Sequence, residues 1–156
     1  MCNLIYWREY VNMIVLVSAS ASQGKSTFCK RLLCYLNAEY FNNDDLRAKT
    51  KNFDFSPSGR QLAAQNMLSA IQNSSAQIKV VDMICPTKEL RKIIVPDIIV
   101  YIDSNLPTQY EDTAAIYEIP TKDECRALFT AKFNRHQEVV DQLIAFLQQN
   151  PQNSDI

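Results

Sequence analysis

The chain has 156 residues, of which 47% are hydrophobic, and this is enough for one domain with a single core. Its net charge of −1 and pI near 5.8 do not provide the basic surface that a nucleic-acid backbone requires, so nucleic acid is not the expected partner. The longest apolar runs are about five residues, far below the ~20 that span a bilayer, so no membrane association is expected.

The predicted domain occupies residues 13–149. Residues 1–12 contain Arg8 and Glu9 among aromatic residues and lack the apolar core of a signal peptide, so we interpret them as an N-terminal extension. Residues 150–156 are interpreted as a C-terminal tail. The five cysteines are odd in number and have no C-x-x-C spacing, which favours reduced thiols in a cytoplasmic protein.

The first motif of the domain joins a strand pattern to a helical pattern. The apolar run 13–17 is followed by Ser-Ala-Ser-Ala-Ser-Gln-Gly-Lys-Ser-Thr at 18–27 and then by a helical pattern. A strand, a loop ending in Gly-Lys-Ser and a helix are the setting of a phosphate-binding P-loop. The expected ATP-binding residues are Ser22, Gln23, Gly24, Lys25, Ser26 and Thr27.

The motif predicts binding of ATP with Mg²⁺. Backbone N–H groups of such a loop surround the phosphates, Lys25 reaches the β- and γ-phosphates, and the Ser26 hydroxyl coordinates Mg²⁺. Ala19 stands where the motif has its first glycine, which indicates either weakened nucleotide binding or the general scarcity of glycine in a chain that has only two. An ordinary polar turn is the alternative interpretation, and the flanking strand and helix patterns disfavour it.

The rest of the chain alternates between helical and strand patterns. In order, we expect a helix over 26–37, a strand over 38–41, a helix from Pro57 with Ser56 as its N-cap, a strand over 78–84, a short helix after Cys85-Pro86, and a strand over 97–103. Residues 114–119 are a candidate edge strand. A capping box at Thr121–Glu124 is expected to precede one long helical stretch that includes Phe129, Phe133 and His136, with His136 packing on the apolar stripe.

This alternation predicts an α/β fold with three layers and a mostly parallel sheet, of the nucleotide-kinase-like P-loop NTPase type. Each crossover between parallel strands should be right-handed. Ligands of such sheets bind outside the carboxyl ends of the strands, so polar residues that follow the predicted strands are the candidates for chemistry.

Two acidic residues follow predicted strands. Asp44 is the candidate base that accepts the proton of an acceptor hydroxyl, and Asp45 is expected to cap the turn that starts at Leu46. A solvated helix start is the alternative for this pair. Asp82 ends the strand over 78–84, where P-loop enzymes hold Mg²⁺ through a second acidic residue, with a turn or capping role as the alternative.

Two arginines are candidates for binding an anionic acceptor. The guanidinium groups of Arg47 and Arg60 match phosphate or sulfate as two-pronged forks. Phe55 is a candidate for stacking on the acceptor, with closure of the core as the alternative. Together with the P-loop, these residues predict a kinase that moves the γ-phosphoryl group of ATP to a hydroxyl of a small nucleotide-like anion.

These motifs together resemble the adenylylsulfate kinases, which phosphorylate the 3′-hydroxyl of adenosine 5′-phosphosulfate. Residues 19–27 resemble the family's P-loop, residues 42–47 its Asp-Gly-Asp-Asn-x-Arg segment, and residues 54–60 its Gly-Phe-Ser-x-x-x-Arg segment. The resemblance covers about residues 13–147. It implies that Asp44 is the base and that Arg47, Phe55, Arg60 and Cys85 contact the substrate, where Cys85 replaces a serine of the family's Ile-Ser-Pro element.

The chain also departs from that family. Ala63 stands where a substrate-binding asparagine is usual, and the arginine-bearing lid expected after Asp103 is missing or reduced to residues 104–113, which contain no Lys or Arg. Polynucleotide 5′-kinases are an alternative resemblance, because they carry an Asn-x-Asp-Asp-x-Arg segment and an acidic residue at the position of Asp82. A non-catalytic ATP-binding module is the alternative from another class, and a homodimer is left open.

Overall fold

The computed structural model describes residues 13–20, 24–103, 111–132 and 134–149. The strands are β1 (Met13–Ala19), β2 (Glu39–Asn42), β3 (Ile78–Asp82), β4 (Ile98–Asp103) and β5 (Ala127–Lys132). The helices are α1 (Lys25–Leu33), α2 (Asn43–Thr50), α3 (Pro57–Gln72), α4 (Lys88–Ile94), α5 (Glu111–Ile116) and α6 (His136–Gln149). The strands form one five-stranded sheet in the order β2-β3-β1-β4-β5, and every pairing in it is parallel. The predicted α/β fold with a mostly parallel sheet is confirmed.

The central strand β1 explains why the first apolar run is nearly continuous. Val15 pairs with Val80 of β3 on one side and with Ile98 of β4 on the other, so β1 has no free edge. Its alternate side chains enter two cores: Val15 and Val17 pack in the core that includes α1 and α6, while Leu16 packs in the core that includes α3 and α4. A parallel strand covered by helices on both faces is expected to be apolar at every position.

Local capping signals place the helices around the carboxyl end of the sheet. Ser56 caps α3 by accepting a hydrogen bond from the N–H of Gly59, and Pro57 is the first helical residue, as the sequence predicts. The prediction that Asp45 caps the next turn is wrong. Asn42 is the N-cap of α2 and accepts from the N–H of Asp45 at 3.1 Å, because the helix starts immediately after β2.

The region after α4 contains two further differences from the sequence interpretation. Residues 114–119 are not a strand, since α5 covers 114–116 and residues 117–119 belong to neither a helix nor a strand. The capping box at Thr121 and Glu124 is present, but it opens only a short 3₁₀ turn over Lys122–Glu124. The chain then pairs with β4 as β5, from Ala127 opposite Ile98 to Lys132 opposite Asp103.

The predicted long helix is therefore split into β5 and α6. A sheet edge at β4 would expose a row of unpaired backbone groups, and β5 covers it. Phe129 lies on β5 and contacts the ring of Phe146 on α6 edge to face, with centroids 6.0 Å apart, so the predicted apolar stripe joins two elements. Phe133 lies outside the described residues. No helix within the described ranges is long and apolar enough to cross a membrane.

Candidate functional site

The start of α1, the start of α2 that follows β2, and the carboxyl end of β3 border a cleft of about 90 Å³. Its walls bring together most of the residues that the sequence singles out, namely Lys25, Asp44, Arg47, Phe55, Arg60, Asp82 and Cys85. Ser22 and Gln23 of the predicted phosphate loop lie outside the described residues. The position of the cleft is the one at which open parallel sheets bind ligands.

The start of α1 presents backbone N–H groups beside this cleft. Gly24 is its N-cap and has a left-handed backbone with φ of 95°, which other residues rarely adopt. A side chain at this position would also lie 3.4 Å from Cγ2 of Ile102 and 3.5 Å from Cε1 of His136. The first turn carries no acidic residue, so no carboxylate of the helix itself offsets its positive end.

The Gly-Lys-Ser residues contact the carboxylate at the end of β3. The Ser26 hydroxyl donates to Oδ2 of Asp82 at 2.8 Å, and Nζ of Lys25 lies 3.7 Å from Oδ1 of the same residue. Lys25 is only 6% exposed and Asp82 only 4%. Thr27 is exposed on α1. The P-loop helix and the β3 carboxylate thus form one buried charged unit.

Two further residues of β2 complete this unit: Asn42, which belongs to the 42–47 segment marked by the sequence, and Tyr40, which no motif marks. The Tyr40 hydroxyl donates to Oδ2 of Asp82 at 2.5 Å, and the Asn42 amide donates to the Tyr40 oxygen at 3.1 Å and to Oδ2 of Asp82 at 3.4 Å. Burial and the hydrogen bond to Asp82 raise the pKa of Tyr40 to about 12, so its hydroxyl remains a donor at neutral pH.

Oxygen ligands of the kind that Mg²⁺ prefers are present at this point. The Ser26 hydroxyl and the Asp82 carboxylate lie together at the start of the P-loop helix. Among the described residues there is no group of three or more His, Cys, Asp or Glu side chains arranged to hold a metal ion by themselves. The set fits a Mg²⁺ ion whose other ligands come from substrate phosphates, which is how that ion is commonly bound.

The other side of the cleft carries two arginines around one aromatic ring. Nη1 of Arg47 donates to the carbonyl oxygens of Asn52 and Asp54 at 3.0 and 3.1 Å. Nε of Arg60 donates to the carbonyl oxygen of Phe55 at 2.8 Å. The two guanidinium carbons lie 4.3 and 5.7 Å from the centroid of the Phe55 ring, which is 57% exposed. Phe55 does not close the core: Arg47 lies over its ring, and more than half of the residue remains exposed.

The two arginines repel each other. Burial and the neighbouring charge of Arg60 lower the pKa of Arg47. Asp44 and Asp54 act on Arg47 in the opposite direction, but the net shift is downward. Both arginines are nearly inaccessible, with 7% and 9% exposure. Two cations held side by side at a cleft wall are favourable to the binding of an anion between them.

A tight loop holds these arginines. The Asn52 amide donates to the carbonyl oxygen of Gly59 at 3.0 Å, and its side-chain oxygen accepts from the N–H of Asp54 at 3.1 Å. A Cβ at Gly59 would overlap the backbone oxygen and side chain of Asp54. The close approach of the loop to α3 therefore requires glycine at position 59 and fixes Arg60 next to it.

The remaining predicted positions differ in accessibility. Asp44 is exposed in the first turn of α2 at the cleft wall. Cys85 lines the floor but is buried, and burial raises its thiol pKa to about 12, so it remains protonated. Ala63 packs in the core with Leu16 and Ile99. His136 is half-buried at the start of α6, with its ring edge to face with Phe28, as its predicted packing role requires.

A larger pocket of about 450 Å³ adjoins the cleft and shares Phe55, Arg60 and Leu90 with it. The remaining wall is mixed: its apolar residues are Pro57, Ile93 and Ile116, and its neutral polar residues are Gln61 and Thr87. Glu89 and Asp112 supply acidic groups. The combined space is large enough for a small organic molecule whose anionic part lies at the arginines.

No protein-family model and no curated protein sequence matches the chain. Solved structures do match its fold. APS kinase CysC of Mycobacterium tuberculosis, in complex with AMPPNP and APS, is 19% identical with a TM-score of 0.64, covering 89% of this chain and 98% of that chain. A gluconokinase from Sinorhizobium meliloti 1021 is 13% identical with a TM-score of 0.68, covering 92% and 96%.

A third similar structure is shikimate kinase from Acinetobacter baumannii in complex with shikimate. It is 15% identical with a TM-score of 0.54, covering 92% of this chain and 97% of that chain. These kinases act on different acceptors, and at such identities the likeness shows the fold alone. The chain therefore has the α/β fold of P-loop kinases.

Proposed function

We propose that the protein is an ATP-dependent phosphotransferase that moves the γ-phosphoryl group to a hydroxyl of a small nucleotide-like anion, as adenylylsulfate kinase does. The observation that carries this proposal is a single cleft that combines Lys25 and Asp82 with Arg47 and Arg60. The first pair suits a nucleoside triphosphate, and the second suits an anionic acceptor.

The nucleotide half is supported by the start of α1. The backbone N–H groups of its first turn and Lys25 would bind the phosphates of ATP, and Lys25 would exchange the Asp82 carboxylate for phosphate oxygens. Ser26 and Asp82 would hold Mg²⁺, which when bound offsets the charge that develops on the transferred group. Tyr40 and Asn42 would keep the Asp82 carboxylate in place.

The acceptor half is supported by charge and shape. Arg47 and Arg60 would bind the anionic group, and the exposed Phe55 ring would stack on a flat part of the acceptor. The adjoining pocket of about 450 Å³ gives room for a body of nucleoside size. Asp44 would accept the proton of the acceptor hydroxyl while the oxygen of that hydroxyl attacks the γ-phosphorus and ADP leaves.

Transfer from γ-labelled ATP with Mg²⁺ tests the proposal, with adenosine 5′-phosphosulfate, shikimate and a 5′-hydroxyl oligonucleotide as separate acceptors. We expect transfer to adenosine 5′-phosphosulfate and its loss in Asp44→Asn, with Asp45→Asn as the matched control one residue further along α2. Equal activity in the two variants would remove Asp44 from the reaction. Transfer to the oligonucleotide alone would favour the polynucleotide 5′-kinase alternative, to which Asp82 at the end of β3 also points.

The melting temperature with and without ATP, measured beside the transfer, separates catalysis from binding. A non-catalytic ATP-binding module, which Ala19 and the absence of Lys and Arg from residues 104–113 favour, would be stabilised by ATP without any transfer. A kinase would show both effects. If Lys25→Ala leaves the ATP-induced rise in melting temperature unchanged, the site does not bind nucleotide through its P-loop, and both functions are excluded.

A further inference from the structure

We infer that Thr113 is a positioning residue of the acceptor site and that its hydroxyl orients Arg60 for the acceptor anion. This inference rests on the proposed function. Thr113 lies on α5 and is the last residue of the segment 104–113, where the resembled family carries an arginine-bearing lid. Neither composition nor spacing marks this threonine in the sequence, and the contact is visible only in the fold.

The Arg60 guanidinium is held at two of its nitrogens. Nε donates to the carbonyl oxygen of Phe55 at 2.8 Å, and Nη2 donates to Oγ1 of Thr113 at 3.0 Å. The two acceptors belong to different elements: the Phe55 carbonyl lies in the loop that precedes α3, and the Thr113 hydroxyl lies on α5. A guanidinium fixed at Nε and Nη2 cannot rotate about its Nε–Cζ bond without losing one of them. Its remaining N–H groups, two on Nη1 and one on Nη2, therefore have defined directions.

The partner of Arg60 is neutral, and this leaves the charge for the ligand. No carboxylate within the described ranges lies within 4.0 Å of the Arg60 guanidinium, whereas Arg91, under the cleft floor, is paired with Glu124 at 2.6 Å. A carboxylate at position 113 would orient Arg60 equally well but would cancel its attraction for an anion. A threonine hydroxyl orients the arginine and preserves its full charge.

The hydroxyl is itself fixed by the contacts of α5. Thr113 is 6% exposed. Just beyond the helix, the Tyr117 hydroxyl is 2.7 Å from Oγ of Ser18 on β1, and the N–H of Glu118 donates to the carbonyl oxygen of Pro86 at 2.7 Å. Ser18 is part of the strand that leads into the P-loop. The same short segment thus contacts the P-loop strand, the cleft floor and the acceptor arginine.

The test compares Thr113→Val, which keeps the shape and removes the hydroxyl, with Thr113→Ser, which restores it. Thr130→Val, an exposed position on β5, is the control for the substitution itself. The first measurement is the NMR signal of the Arg60 Nε–H group. We expect slow rotation of the guanidinium in the wild type, Thr113→Ser and Thr130→Val, and fast rotation in Thr113→Val. Unchanged rotation in Thr113→Val would overturn the positioning role.

The second measurement is a titration with sodium sulfate against sodium chloride of equal ionic strength, followed at the same signal. We expect roughly tenfold weaker sulfate binding in Thr113→Val, the effect of losing one hydrogen bond to a charged group, and recovery in Thr113→Ser. Equal sulfate affinity of Thr113→Val and Thr113→Ser, or no sulfate response of Arg60 in the wild type, would overturn the inference. This readout needs no turnover, so it distinguishes failure of the inference from failure of the proposed function.

Where the transfer assay yields an acceptor, kinetics give a third readout. We expect Thr113→Val to raise the KM for that acceptor by roughly tenfold while the KM for ATP and the ATP-induced rise in melting temperature stay at wild-type values. A merely structural threonine would instead lower the melting temperature and affect both substrates equally. That pattern would contradict the assignment.

Discussion

The substitution Asp82→Asn tests how far the buried unit at the end of β3 depends on charge. The variant keeps the size of the side chain and removes the charge that faces Lys25 at 3.7 Å, in surroundings where both residues are almost inaccessible. Breaking a buried ion pair by removing one partner costs about 3–5 kcal/mol. Lys25 has a further interaction, so we expect the lower end, about 3 kcal/mol. In a domain of this size that loss lowers the melting temperature by roughly 6–12 °C.

Thermal unfolding with ATP, with and without Mg²⁺, is the assay. ATP phosphates provide Lys25 with a new partner, so we expect ATP without Mg²⁺ to stabilise Asp82→Asn at least as much as the wild type. We expect added Mg²⁺ to increase the stabilisation in the wild type and to have little effect in the variant, because an amide is a weaker ligand than a carboxylate for this ion.

Asp97→Asn is the matched control. Its Oδ2 accepts from the N–H of Ile14 at 2.9 Å at the opposite end of β1, so the variant loses about 1 kcal/mol and keeps the Mg²⁺ response. An unchanged melting temperature of Asp82→Asn would refute the argument from the buried pair. A wild-type Mg²⁺ response in that variant would refute the metal role of Asp82 and leave the charge pairing with Lys25 as its function.

Three further outcomes follow from the contacts. Gly59→Ala should lower the free energy of unfolding by about 2 kcal/mol in urea titrations, because the new methyl group overlaps Asp54, whereas Ser58→Ala should not. Burial lowers the pKa of His136 below its usual 6.5, so the unfolded chain binds its proton first and stability falls as pH drops below about 7; His136→Gln should remove this slope in unfolding measured between pH 7 and 5. Glu124→Gln should cost about 3 kcal/mol in chemical unfolding, since it leaves the buried Arg91 charge without its partner.

The parts of the fold that could be predicted depend on short-range signals. Ser56 and Pro57 define the start of α3 through contacts within a single turn, and the P-loop context follows from one strand and one helix that are adjacent in sequence. β5 could not be predicted in this way. Its pairing with β4 is non-local, and its apolar residues share a stripe with those of α6 when both are read with a helical period.

The residues of the candidate site likewise divide into those that a sequence rule marks and those that only non-local contacts reveal. Asp44 and Asp82 were found because parallel strands bring their carboxyl ends to one edge of the sheet, whatever lies between them. Tyr40 and Thr113 were not found, since their contacts to Asp82 and Arg60 join residues 42 and 53 positions apart. A hydroxyl that orients a charged side chain has no spacing rule, and only the packed structure identifies it.

The distribution of charge in the cleft leads to a final prediction. On the nucleotide side, Lys25 and Asp82 already offset each other, whereas on the acceptor side burial and the charge of Arg60 lower the pKa of Arg47. An anion between the arginines relieves that repulsion in addition to forming its own hydrogen bonds. We therefore expect millimolar sulfate to raise the melting temperature without ATP, measured against chloride at equal ionic strength, and we expect Arg60→Gln to abolish most of the rise. An equal rise in Arg60→Gln would mean that sulfate acts through general exclusion from the protein surface, and the arginine pair would then not be an anion site.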